Sequence, residues 1–164
     1  MLALISRILT IGLALYSYLS LRGNFAGNVA GGPSAAAAKL LFAIQILMSI
    51  VFFLIPSFPE SIHFGTRRLS DYTPQQLQRI APLLRDMLAL MGLFFALYFT
   101  VNIQLLAHQA RALSPREAAR AIVAVEPWLV GGLLIGQGAI VFYYLRRFDA
   151  AISSETPPSD TIED

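Results

Sequence analysis

The sequence predicts an all-α integral membrane protein: four transmembrane helices with short links and an amphipathic lead-in before the third. Three observations carry that prediction. Leu40–Phe58, Met87–Ala107 and Pro127–Leu145 contain no Asp, Glu, Lys or Arg, and Leu2–Leu21 contains only Arg7. Each block approaches the roughly 20 apolar residues that a helix needs to cross about 30 Å of hydrocarbon. Hydrophobic residues make up 56% of the chain and charged residues 13%, against roughly 25% charged in soluble domains. A soluble core helix of this length also shows a polar stripe, and none is evident here.

The first crossing is expected over residues 2–21. It outruns the apolar centre of a secretory signal, and Tyr16–Leu21 offers bulky residues where a cleavage site needs small ones. A retained helix follows, with the Arg7 stem snorkelling to the headgroups. Gly23–Ala36 is rich in Gly and small residues and reads as a mobile loop. The second crossing, 38–58, ends in Ile55-Pro56-Ser57-Phe58-Pro59, because two prolines three apart cannot both continue a helix. Thr73-Pro74-Gln75-Gln76 is a capping box with Pro at the first helical position. Beyond it Leu77, Ile80, Ala81 and Leu84 share one face, with Gln78, Arg79 and Arg85 elsewhere. This segment reads as a short amphipathic helix at the interface, bent at Pro82, that feeds the third crossing over 86–108.

Ser114-Pro115-Arg116-Glu117 repeats the start signal ahead of the fourth crossing, 124–145. Trp128 at one end and Tyr143, Tyr144, Arg146 and Arg147 at the other are its interface anchors. Residues 1–148 thus form one transmembrane domain. The remainder, 149–164, is acidic, contains Pro157-Pro158, lacks apolar runs and is expected to be disordered.

The chain has no cysteine, which excludes disulfides, thiolate metal sites, iron–sulfur clusters and covalent haem attachment. A net charge of +2 is no nucleic-acid signal, since the arginines sit beside membrane helices and have a topological explanation. Eleven Arg against one Lys suggest a GC-rich bacterial genome, hence a bacterial inner membrane. Four crossings put both termini on one side. That side holds Arg7, Arg67, Arg68, Arg79, Arg85, Arg146 and Arg147, seven, and the other holds Arg22, Lys39, Arg111, Arg116 and Arg120, five. The positive-inside rule then makes the termini cytoplasmic.

Polar groups inside membrane helices are the default functional candidates. Here they are Gln45 and Ser49, Tyr98, Asn102 and Gln104, and Gln137. Gln45 and Ser49 share a face, as do Tyr98 and Asn102. Interhelical hydrogen bonding is the plain reading and a transport pathway the alternative; no acid or histidine lies mid-membrane to serve a proton or ion route. Gly132 and Gly136 form a GxxxG spacing beside Gly131 and Gly138, a smooth patch that lets another helix approach closely. His108 ends the third crossing and could ligate a haem or a chlorophyll magnesium, or serve as a polar end group. His63 lies among Glu60, Arg67, Arg68 and Asp71 in a non-helical link. That cluster could bind a cofactor, an anion or a partner, or could be a solvated loop held by its own ion pairs. Glu60 and His63 alone make no zinc site, and no phosphate loop, nucleophile elbow or HExxH is present.

In the second half of the chain, Asp71-Tyr72-Thr73-Pro74-Gln75-Gln76, Asn102–His108 and the terminal Leu145-Arg146-Arg147-Phe148 follow one another in order. This succession, with Pro59-Glu60-Ser61-Ile62-His63-Phe64-Gly65 before it, resembles bacterial membrane proteins carrying the SdpI-type domain of unknown function. The resemblance implies a mostly uncharacterised family, with immunity or signalling roles in a few members, and an extracytoplasmic His63, whereas the arginine distribution places His63 inside. The residues themselves leave three functions open. The leading one is a non-catalytic protein acting through interactions, an accessory subunit of a larger membrane complex or an immunity or signalling partner. The others are a small transporter or channel component, and a pigment- or haem-carrying subunit using a lone histidine.

Overall fold

The computed structural model describes residues 1–25, 33–55, 63–64, 67–68, 72–111 and 115–153. Four helices account for nearly all of them: α1 (Leu2–Asn24), α2 (Pro33–Leu54), α3 (Pro74–Arg111) and α4 (Pro115–Ser153). All four are long and apolar enough to cross a membrane. Between α2 and α3, β1 (His63–Phe64) pairs antiparallel with β2 (Arg67–Arg68), His63 opposite Arg68 and Phe64 opposite Arg67.

Each helix differs from its expected crossing for a local reason. α2 starts at Pro33, five residues early, because proline suits the first helical position and Ala35–Ala38 are four strong helix formers. It stops at Leu54, ahead of Pro56, whose ring disfavours helical geometry in the residue before it. The lead-in and the third crossing are one continuous helix of 38 residues that contains Pro82. The capping box forms as expected: Thr73 N–H donates to Gln76 Oε1 at 3.1 Å and Gln76 N–H donates to Thr73 Oγ1 at 3.2 Å. At about 1.5 Å per residue, α3 and α4 each run nearly 60 Å, about twice the hydrocarbon thickness.

α4 also corrects the boundary of the tail. Helix continues through Asp149 to Ser153, because Phe148 is buried and Ile152, one turn on, packs against the same apolar cluster. Residues 154–164 and the Ser114 capping position lie outside the described residues.

α3 is the centre of the molecule. α1, α2 and α4 all pack on it, while α1 and α2 touch each other less and α4 packs chiefly on α3 alone. Of the most apolar stretch of each helix, 39% is buried in α3, 22% in α1 and in α2, and 6% in α4. α1 lies parallel to α3, with Ala3 beside Asp86 and Ser17 beside Thr100. α2 and α4 run antiparallel to α3, as successive crossings must. At the end that carries the N-terminus of α1, Phe52, Ile80, Leu84, Leu88, Tyr144 and Phe148 form the main apolar cluster. The expected lead-in face is thus real, but it faces protein: Ile80 and Leu84 are buried and Leu77 packs against them. At the opposite end, Ala35 and Ala38 of α2 meet Ala107 of α3 and Phe25, so small side chains bring these backbones close. Midway, a Cβ on Gly92 would lie 3.1 Å from Phe52 Cβ, and the Phe52 ring stacks on Phe95 with centroids 5.5 Å apart.

Candidate functional site

The polar groups that the fold gathers lie along the α1–α2–α3 contact. Ser6, Thr10 and Ser17 of α1, Gln45 of α2 and Thr100 of α3 are all buried. Thr100 is the junction. Its hydroxyl donates to the Ala96 carbonyl at 2.8 Å and accepts from Gln45 Nε2 at 3.1 Å. With its one proton so used, the 3.0 Å contact with Ser17 Oγ has serine as the donor. Gln45 Nε2 also reaches the Ala96 carbonyl at 3.3 Å. Gln45 Oε1, wholly buried, has no partner among the described residues. Towards the far end, Gln104 of α3 and Asn24 of α1 both donate to Ser20 Oγ, and Arg111 donates to Asn24 Oδ1. Such bonds fix the register of three helices in a medium where an unpaired polar group is costly. Ser6, Thr10, Ser17, Gln45 and Thr100 include no titratable side chain, so this seam positions helices and does not itself take up or release protons.

Sequence reasoning singled out Gln45 but missed the α1 side of the seam. Ser6, Thr10, Ser17, Ser20 and Asn24 fall at spacings of four, seven, three and four, a single helical stripe. The polar stripe judged absent is therefore present in α1, made of small uncharged groups that leave the helix apolar on average. Asp86 was missed too. Its Oδ1 accepts the Ala3 N–H at 3.0 Å, capping the N-terminus of α1 from the neighbouring helix.

The other candidates divide. Ser49 Oγ donates to the Gln45 carbonyl and Asn102 Nδ2 to the Tyr98 carbonyl, each 2.8 Å within its own helix, not across helices. Both side chains are short enough to bond back one turn, which competes with reaching a neighbour. Asn102 also lines a cavity of 310 Å³ with Tyr98, Leu41 and Glu126. Gln137 does bridge helices, its Nε2 donating to the Met91 carbonyl of α3 at 3.1 Å. The GxxxG pair splits. A Cβ on Gly136 would lie 2.4 Å from Phe94 Cε1, so this glycine lets α4 onto α3. Gly132, like Gly131 and Gly138, has nothing within 4 Å of such a Cβ. It lines an apolar groove of 170 Å³ with Phe94, Tyr98, Trp128 and Leu133.

His108 is exposed in the last turn of α3. In the loop cluster, the backbones of His63 and Arg68 are paired, and Glu60 and Asp71 lie outside the described residues. Among the described residues, no group of three His, Asp or Glu could hold a metal ion.

α4 has the least buried apolar stretch of the four helices. Trp128, Gly131, Ile135, Gly138, Phe142 and Leu145 recur at alternating spacings of three and four, one stripe along the helix. Trp128, Ile135, Phe142 and Leu145 are all exposed. Arg146 lies 4.7 Å over the Phe142 ring and Arg147 5.2 Å over Tyr143, fastening the basic end beside the aromatic girdle. No family model matches the chain, and neither does a curated protein or a solved structure.

Proposed function

We propose that the chain is a non-catalytic polytopic membrane protein that acts by association within the bilayer, as an accessory or structural subunit of a larger membrane complex. One observation carries this reading: α4 spends only 6% of its most apolar stretch on the rest of the fold. The unspent face alternates large side chains with Gly131 and Gly138, over which a Cβ would meet nothing. Lipid tails cover any apolar helix, but glycines between large residues suit a second helix, whose backbone can approach and whose side chains can interdigitate. The occupant is a transmembrane helix of another membrane protein. The arginine distribution supports a bacterial inner membrane with cytoplasmic termini.

The test is to extract the tagged chain in mild detergent and identify by mass spectrometry what accompanies it. A stoichiometric membrane partner is expected, and Gly131→Leu with Gly138→Leu should release it without lowering the stability of the isolated chain. A partner-free protein in both detergent and native-membrane extracts overturns the reading. A toxin-like or sensor partner would select the immunity or signalling version that the SdpI-type resemblance implies.

A further inference from the structure

At the end of the bundle where α1 begins, α1 and α3 enclose a cavity of 330 Å³. Its polar wall is Arg7, Arg85 and Asp86, and Met1, Ala3, Leu4 and Pro82 complete the lining. Along α3 this is the level at which charge gives out: Arg85 and Asp86 are followed by the uncharged Met87–Ala107. The cavity therefore sits where hydrocarbon meets headgroups.

Its charges are not balanced. One oxygen of Asp86 is committed to the Ala3 N–H. Arg7 rests with its guanidinium carbon 5.4 Å from the centre of the Phe53 ring, and its buried Nε has no hydrogen-bond partner among the described residues. Neither Arg7 nor Arg85 forms an ion pair among the described residues. Two guanidinium groups thus line the cavity beside one partly used carboxylate. A guanidinium fork matches the oxygens of a phosphate group, and basic pockets between membrane helices on the cytoplasmic side take phospholipid headgroups.

From these groups we infer that the α1–α3 cavity binds the phosphate of a phospholipid, with Arg7 and Arg85 as its ligands. A lipid fits better than free phosphate because Leu4 continues into Ile8, Ile11 and Leu15, spaced four, three and four apart. All four are more than half exposed, at 64%, 60%, 58% and 58%. This strip gives an acyl chain a bed running directly from the cavity, and free phosphate has no use for it. The 330 Å³ also leaves room for the headgroup, since a water occupies only about 30 Å³.

The experiment uses the full chain, delipidated in mild detergent, with native mass spectrometry counting bound phosphatidylglycerol. Dioleoylglycerol, which has the chains without the phosphate, and inorganic phosphate are the two comparison probes. One phosphatidylglycerol should be retained in preference to dioleoylglycerol, with affinity falling roughly fivefold for Arg85→Gln and again for Arg7→Gln. Arg85 is exposed, so Arg85→Gln keeps the fold and gives a reading even if Arg7→Gln is damaged. Arg146→Gln, on α4, should leave retention unchanged. Equal retention of dioleoylglycerol, or wild-type retention by Arg85→Gln, overturns the site. Displacement of the lipid by inorganic phosphate at the same molar concentration overturns the lipid as its source.

Discussion

Replacing Thr100 with Val keeps the branched shape of the side chain and removes only the hydroxyl through which α1, α2 and α3 meet. Two interhelical bonds disappear, from Ser17 at 3.0 Å and from Gln45 at 3.1 Å. Hydrogen bonds between membrane helices average about 0.6 kcal/mol, with a ceiling near 1.7. The expected loss is therefore about 1.2 kcal/mol, a roughly eightfold shift in the unfolding equilibrium. The partner change, Gln45→Leu, removes its bonds to Thr100 and Ala96 but also the buried Oε1 that has no partner. Losing an unsatisfied acceptor offsets part of the cost, so this variant should lose less than about 1 kcal/mol. In the Gln45→Leu background, Thr100→Val can only break the Ser17 bond, about 0.6 kcal/mol. The two changes should thus couple by about 0.6 kcal/mol. Reversible unfolding in mixed micelles, with all four proteins measured together, gives the coupling directly. Strict additivity, or a Thr100→Val protein as stable as the wild type, would refute the junction.

Gly136→Leu should destabilise the α3–α4 contact by about 1–3 kcal/mol through overpacking, because its Cβ would lie 2.4 Å from Phe94; Gly132→Leu, whose Cβ meets nothing within 4 Å and whose side chain has the groove to enter, should not. Comparing their denaturation midpoints checks both. Asp86→Ala removes the carboxylate that caps α1 and should cost about 0.5–2 kcal/mol, with Asp86→Asn retaining part of it. Hydrogen exchange confined to the first turn of α1 is the accompanying signal. A periplasm-active reporter fused after Ser153 should be silent if the termini are cytoplasmic, and strong activity would reverse the orientation.

Much of this fold was legible in the sequence. Uncharged blocks revealed the crossings because charge in hydrocarbon is expensive, and the Thr73–Gln76 capping box and the Ile80–Leu84 face read correctly because both are local patterns. What escaped was of two kinds. Serine and threonine are nearly neutral in hydropathy, so the stripe Ser6–Thr10–Ser17 did not interrupt an apolar block, although its helical spacing was there to be found. Asp86 stood at the edge of a crossing and looked like an ordinary boundary charge; only the packing of α1 beside α3 makes it a cap. Nor can spacing say which of two glycines one turn apart meets a neighbour. Gly136 meets Phe94 whereas Gly132 borders the groove that Phe94, Tyr98 and Trp128 line, and that is a property of the assembled pair.

The parallel pairing of α1 with α3 has a mechanical meaning. Ala3–Asp86 and Ser17–Thr100 are separated by the same 83 positions, one pair near the start of the helix and one fourteen residues on. A slide of α1 by one turn, about 5.4 Å, would part both at once, so the two helices behave as one spliced rod. α2 is pinned to that rod through Gln45. α4 is held to it by Gln137 on the Met91 carbonyl and by the Gly136–Phe94 fit. Of the four helices, α4 is thus the one least buried against this three-helix post, with 6% of its most apolar stretch covered.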